Sequence, residues 1–214
     1  MIQEKHIAIN KGIDLAQGEL FFIVDSDDYL PEDSLTTINN YYLKIKNNPQ
    51  IAGLVGKRYI TNSNTTNIQF HKTEFISSLF DIRYKFNYSG DMAEIIKTSI
   101  LKNYYFPHFK DEKFCTEALI WNRISKNYNF LFFDQFIYNC EYQDGGLTSK
   151  YWKLILNNPK SSLLYYKELL QFPLTSTQQK EVLKTYNNIA TTNGYSKFER
   201  FKDIGLRNFI KVYI

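Results

Sequence analysis

The sequence predicts an α/β fold, a mixed sheet flanked by helices, followed by a helical C-terminal extension. Three observations predict it. The run Leu20-Phe21-Phe22-Ile23-Val24 is short, apolar and bounded by polar turn residues, which is the pattern of a buried strand. An acidic loop, a helical segment and a second apolar run at 51–60 follow it, and strand, loop, helix, strand is the rhythm of an α/β sheet. Beyond residue 149 only helical patterns remain.

In chain order, residues 4–17 read as a helix with a rough apolar stripe of Ile2, Ile9, Ile13 and Ala16, and Gly18 stands where a C-cap belongs. Pro31 opens the next helix, suiting the preference of proline for the first turn. Asn47-Asn48-Pro49 stops it. Residues 61–67 form a polar loop, and the aromatic-rich stretch 75–86 reads as a helix or an irregular arm. Gly90-Asp91-Met92-Ala93-Glu94 reads as a polar turn leading into a short strand at Ile95-Ile96, and a helix starts at Ser99. Thr116 is a candidate N-cap for a helix over 118–124, which puts Glu117 in its first turn. Residues 130–133 and 136–140 read as two strands, and 143–148 as a loop. Helices over 152–156, 161–171, 176–191 and 198–214 complete the chain. The last spaces Phe201, Ile204, Phe209 and Tyr213 among Lys and Arg, a pattern shared by basic surface helices and by ordinary packed ones.

Asp25-Ser26-Asp27-Asp28 ends the first strand with three carboxylates in four positions. Charges cannot be buried unpaired, so they need water or a cation. Ligands of open α/β sheets sit outside the carboxyl ends of the strands, so the cluster points to a divalent metal holding an anionic ligand. A solvated acidic turn capping the following helix through Asp28, Glu32 or Asp33 explains the same residues equally well. A calcium loop does not, because Leu30 stands where its glycine is required and Thr36 where its glutamate is required.

The 214 residues, 43% of them hydrophobic, fit a globular domain with a real core. Cys115 and Cys140 form neither a disulfide framework nor a metal spacing. No run approaches the ~20 apolar residues of a membrane span, and the N-terminus has no signal-peptide core, so the expected location is cytoplasmic. Residues 1–150 hold 16 Lys+Arg against 18 Asp+Glu, and residues 151–214 hold 10 against 4. The basic end suits an anionic surface, which adds an expected peripheral contact at the inner face of the cell membrane; a solvated helical face accounts for the charge as well. No nucleic-acid partner is expected.

The ordered set of motifs resembles family 2 glycosyltransferases of the GT-A fold. It comprises Lys5-His6-Ile7-Ala8-Ile9-Asn10-Lys11-Gly12-Ile13, Ala16-Gln17-Gly18-Glu19, Val24-Asp25-Ser26-Asp27-Asp28 and Gly90-Asp91-Met92-Ala93-Glu94. Phe114-Cys115-Thr116-Glu117 with Trp121-Asn122-Arg123 matches the family's acidic-pair segment, and 140–148 looks like its acceptor-side loop. The resemblance covers about residues 3 to 170. It implies a partial GT-A domain over 1–150 and a helical extension over 151–214.

The resemblance also implies roles. Asp25 and Asp27 look like the DXD pair, Asp27 as direct ligand of Mn²⁺ or Mg²⁺ and Asp25 bridging toward the nucleotide, with Asp28 in support. Glu117 takes the place of the general base that deprotonates the acceptor hydroxyl, so that one in-line displacement inverts the anomeric carbon. Lys5, His6 and Asp91 fall on the nucleotide-sugar side, and Trp121 and Thr148 on the acceptor side. The implied partners are a nucleotide-sugar donor, UDP-linked, and a glycan or lipid-linked acceptor in cell-surface polysaccharide synthesis.

Two departures stand out. The family's first acid is Thr116 here, and the base is Glu rather than Asp. The family's usual N-terminal strand, helix and strand do not precede Met1 in this sequence, so a truncated enzyme completed by self-association or by a complementing chain is expected. An inactive remnant acting as a binding or assembly subunit, and a carbohydrate-binding domain without transfer chemistry, are the competing readings.

Overall fold

The computed structural model describes residues 4–62, 69–141 and 151–213. Two compact units emerge. One comprises Lys11–Tyr105 and Trp121–Asp144; the other comprises Met1–Asn10, Phe106–Ile120 and Gly145–Ile214.

The first unit is built on a five-stranded mixed sheet in the order β1-β4-β2-β5-β3. The strands are β1 (Leu20–Phe22), β2 (Ile51–Ile60), β3 (Glu74–Ser77), β4 (Met92–Lys97) and β5 (Asn129–Cys140). β4 is antiparallel to both β1 and β2, β2 is parallel to β5, and β3 is antiparallel to β5. So β1, β2 and β5 point the same way and their carboxyl ends gather at one end of the sheet. β2 tolerates no side chain at its closest crossing: a Cβ on Gly53 would stand 2.0 Å from the Ile95 carbonyl oxygen. Helix α2 (Ser34–Ile45) lays Ile38, Tyr42 and Ile45 on Leu54, Ile95, Phe133 and Tyr138. Each such apolar side chain contributes about 1.5–3 kcal/mol on burial. Lys97 closes the far end of α2, its ammonium donating to the carbonyls of Ile45 and Asn48 at 2.9 Å each.

Several sequence expectations are corrected. β1 is an edge strand of the described sheet, only partly buried, and is shorter than the apolar run. Gly18 is not left-handed, so it is no C-cap glycine; α1 ends at Leu15. α2 begins at Ser34 with Asp33 at its N-cap, later than Pro31 implies. The stretch at 75–86 is two elements, β3 and then α3 (Leu79–Tyr84), capped by the Ser78 hydroxyl. β3 forms because Phe75 stacks on Phe132 of its partner strand at 4.9 Å, a contact no local pattern reveals. Met92, Ala93 and Glu94 belong to a fully buried strand; Glu94 is satisfied there by Arg83 at 3.5 Å. The two strands expected over 130–140 are one strand. A bulge opposite Val55 to Lys57 takes up the polar Asp134-Gln135, and Lys57 pairs with Asp134 at 2.5 Å.

The second unit carries α6 (Tyr151–Asn157), α7 (Pro159–Leu169), α8 (Ser176–Thr192) and α9 (Lys197–Tyr213). Ile155, Leu163, Leu183, Tyr186, Ile189 and Ile204 form its core. Thr175 and Gln178 make a reciprocal capping box at the start of α8. The buried Glu112 carboxylate accepts from the Ser161 amide at 2.8 Å, holding the start of α7. α9 kinks at Gly205, whose φ of 77° is left-handed and suits glycine. The short α4 (Thr98–Leu101) belongs to the sheet unit, and the division between units falls inside α1 (Lys5–Leu15) and α5 (Ala118–Ser125).

Candidate active site

The acid cluster follows β1 as a tight turn, closed by the Asp28 amide donating to the Asp25 carbonyl at 3.1 Å. The chain then pairs with β5, where Tyr29 and Asn139 exchange both backbone hydrogen bonds. The turn is therefore fixed at both ends to the sheet rather than being a free solvated loop.

Tyr138 sits at its centre. Its fully buried phenol accepts from the Asp25 amide at 2.9 Å and donates to Asp28 Oδ2 at 2.7 Å. The Arg58 guanidinium stacks 4.3 Å above the Tyr138 ring, and its Nε donates to the Met92 carbonyl at 2.8 Å. Burial pushes the Tyr138 hydroxyl well above the ordinary tyrosine range. Burial also raises Asp28; Asp27 and Asp25 add to the rise, while the Tyr138 hydrogen bond and Arg58 oppose it. Cys140 is raised mainly by burial and next by Asp28, with Asp91 and Asp25 also acting on it. Asp25, Asp28 and Asp91 thus share one electrostatic neighbourhood at the carboxyl ends of β1, β2 and β5, where ligands of such sheets bind.

Asp27 is exposed, Asp25 partly so, and Asp28 is engaged by Tyr138. Among the described residues no three His, Cys, Asp or Glu side chains form a ready-made metal cage. The donor set still fits Mg²⁺ or Mn²⁺, which take one or two carboxylates and complete their shell with phosphate oxygens and water. Burial is the main cause of the raised Asp28, and the repulsion from Asp27 and Asp25 that adds to it is a feature a cation at Asp25 and Asp27 would relieve.

In the other unit, Glu117 immediately precedes α5 and its carbonyl accepts from the Ile120 amide at 2.9 Å. Its carboxylate pairs with the Lys5 ammonium at 2.9 Å, both side chains partly exposed. His6 is 3% exposed, beside Phe106, and its Nδ1 has no hydrogen-bond partner among the described residues. Burial lowers its pKa, with Glu4 opposing. Such a histidine is a neutral interior side chain rather than a group facing a ligand.

The remaining candidates divide. Asp91 is exposed just before β4. Trp121 is 5% exposed, within the interior of the sheet unit. Thr148 and the loop at 143–148 lie outside the described residues. Tyr138 and Arg58 were missed by sequence reasoning. Arg58, a cation near the end of an apolar strand, was a readable signal; Tyr138 was one aromatic among many, and its partner Asp28 is 110 residues away.

Residues 3–107 match the family model described as Glycosyl transferase family 2. A curated relative from Campylobacter jejuni, a GalNAc(5)-diNAcBac-PP-undecaprenol beta-1,3-glucosyltransferase, is 25% identical over 186 residues, covering 82% of this chain and 55% of the relative. Among solved structures, S. aureus TarS 1-349 in complex with UDP-GlcNAc superposes with a TM-score of 0.52 at 17% identity, over 94% of this chain and 57% of that one. The same protein in complex with UDP gives 0.53 at 17% identity, over 95% and 59%. The structural likeness shows the fold, which is GT-A-like. The chain spans a little over half the length of these relatives. Over residues 3–107 the chain is similar to family 2 glycosyltransferases.

Proposed function

We propose that this chain serves an inverting family 2 glycosyltransferase that moves a sugar from a nucleotide-sugar donor, UDP-linked, to a glycan or lipid-linked acceptor in cell-surface polysaccharide synthesis. The observation that carries the reading is the acid turn of Asp25, Asp27 and Asp28, pinned by Tyr138 at the carboxyl ends of three co-directed strands. The UDP and UDP-GlcNAc complexes of the similarly folded TarS support uridine as the base. The undecaprenol-linked substrate in the name of the C. jejuni relative supports a lipid-linked acceptor, and with it a peripheral contact with the membrane.

Asp27 and Asp25 would hold Mn²⁺ or Mg²⁺. The cation supplies charge neutralisation to the departing diphosphate when bound. Tyr138 keeps the turn in one conformation, so the carboxylates need little rearrangement to meet a ligand. Glu117 accepts the proton of the acceptor hydroxyl, whose oxygen forms a bond to the anomeric carbon as the bond to the diphosphate oxygen breaks. A single displacement inverts that carbon. Lys5 fixes the direction of the Glu117 carboxylate. Asp91 and Lys5 bind on the donor side and Thr148 on the acceptor side, while Trp121 shapes the acceptor side from the interior. The transfer chemistry belongs to residues 1–150, and 151–214 is its helical extension.

The test is a calorimetric titration of UDP into the purified chain with and without Mn²⁺. Manganese-dependent binding in the micromolar range is expected. Failure of UDP, GDP, CMP and dTDP alike would reject the transferase reading and leave a binding or assembly subunit.

A further inference from the structure

The helical unit presents a surface that the transfer chemistry does not use. α9 has two faces. Its inner face is consumed by α8 and α7: Asp203 accepts from the Tyr186 hydroxyl at 2.7 Å and pairs with Lys167 at 2.5 Å, Arg200 binds Asn187 and Thr191, and Ile204 enters the core. Its outer face leaves large apolar side chains in solvent. Phe198 is 63% exposed, Leu206 60% and Ile210 43%. Cations accompany them. Lys202 stands 4.5 Å over the Phe198 ring, and Arg207 and Lys211 are exposed beside Leu206 and Ile210.

A groove of about 460 Å³ lies alongside, lined by Lys180, Lys184 and Lys211 with Asn187, Asn188 and Thr191. Lys211 reaches it from α9, donating to Gln179 of α8 at 2.5 Å. The acids of this region are fewer than the cations: Glu199 caps the Ser196 amide at 2.7 Å, Asp203 is turned inward, and Glu181 is exposed on α8. No helix among the described residues is long and apolar enough to cross a membrane.

We propose that the outer face of α9, with the lysine-lined groove beside it, docks in the plane of an anionic phospholipid bilayer. Phe198, Leu206 and Ile210 enter the boundary between headgroups and acyl chains, and Lys180, Lys184, Lys202, Arg207 and Lys211 meet lipid phosphates. Apolar side chains ringed by cations suit this occupant by charge as well as by hydrophobicity. A protein partner of ordinary composition would leave that excess charge unmatched. The left-handed Gly205, where α9 kinks, sits between Phe198 and Leu206. The proposal deepens the peripheral membrane contact in the function proposed above and rests on it for its purpose, while its evidence is confined to α8 and α9.

The test is co-sedimentation of the full chain with vesicles of phosphatidylglycerol and phosphatidylcholine in equal parts, and with pure phosphatidylcholine. Binding to the anionic vesicles is expected, at least about tenfold stronger than to the neutral ones and weakened by salt. Leu206→Glu with Ile210→Glu, both exposed, is expected to reduce it by at least about tenfold, and Lys180→Glu with Lys184→Glu to reduce it without changing the melting temperature. Equal partition on neutral vesicles overturns the proposal, as does wild-type partition of the Leu206→Glu, Ile210→Glu variant. A concentration-dependent dimer by light scattering with no vesicle binding overturns it in favour of a second copy on this face. Titrating the unmodified chain with UDP and Mn²⁺ separates the two readings. Absent vesicle binding of the unmodified chain with nucleotide binding intact rejects only the docking surface, and vesicle binding without nucleotide binding rejects only the transferase; the variant is expected to lose vesicle binding and keep nucleotide binding.

Discussion

The phenol of Tyr138 donates to Asp28 at 2.7 Å while accepting from the Asp25 amide at 2.9 Å, so one buried side chain holds both ends of the acid turn. The hydroxyl is the only part of this ring that meets the turn by hydrogen bonding; the ring itself is packed edge-on to Phe22 and beneath Arg58. Tyr138→Phe keeps that packing and removes the two hydrogen bonds. The expected loss of stability is about 1–3 kcal/mol, because both hydrogen bonds of a buried hydroxyl are removed. Manganese-dependent UDP affinity is expected to fall roughly tenfold as the turn loses its single conformation. Urea denaturation and calorimetry read the two effects; unchanged affinity in a destabilised variant would show that Tyr138 is a structural group only.

Asp27 is exposed, so Asp27→Ala is expected to leave stability within about 0.5 kcal/mol. It should abolish the metal dependence of nucleotide binding. Calorimetry with and without Mn²⁺ checks this, and binding equal to that of the unmodified chain rules Asp27 out as a ligand.

Glu117→Gln preserves shape and removes the proton acceptor. Turnover is expected to drop by about 10²–10⁴-fold with donor affinity intact. Loss of the Lys5 pair, which is partly exposed, should cost less than about 1 kcal/mol of stability. Equal turnover in the variant removes Glu117 from the base role.

His6 makes stability depend on pH. Its unfolded pKa is near 6.5 and burial holds the folded value lower. Between the two, the unfolded chain binds a proton that the folded chain does not. Stability therefore rises with pH through that window, is complete above about 6.5, and is lost as pH falls below it. Glu4 and Glu112 oppose the depression and His108 adds to it. His6→Leu should flatten the slope of unfolding free energy in the window just below about pH 6.5. A slope unchanged in denaturant titrations across that range would assign the dependence to other groups.

What the chain order alone determined was local. An apolar run ending in Asp25, Asp27 and Asp28 marks a strand terminus because apolar character, turn residues and charge are read within ten positions, and the acid turn does follow β1. The helical patterns over 161–171 and 176–191 anticipated α7 and α8 for the same reason. The tertiary structure decided everything that depends on partners far along the chain. β3 exists because Phe75 meets Phe132, and β5 runs unbroken because its bulge lets Lys57 take Asp134. His6 and Trp121 are side chains equally at home facing a ligand or filling an interior. Packing against distant residues put both inside, whereas Asp27 and Asp91, which cannot be buried unpaired, stayed at the surface. Tyr138 became the anchor of the acid turn because β5 runs parallel to β2 and alongside Tyr29, a pairing across more than a hundred residues that no local pattern encodes.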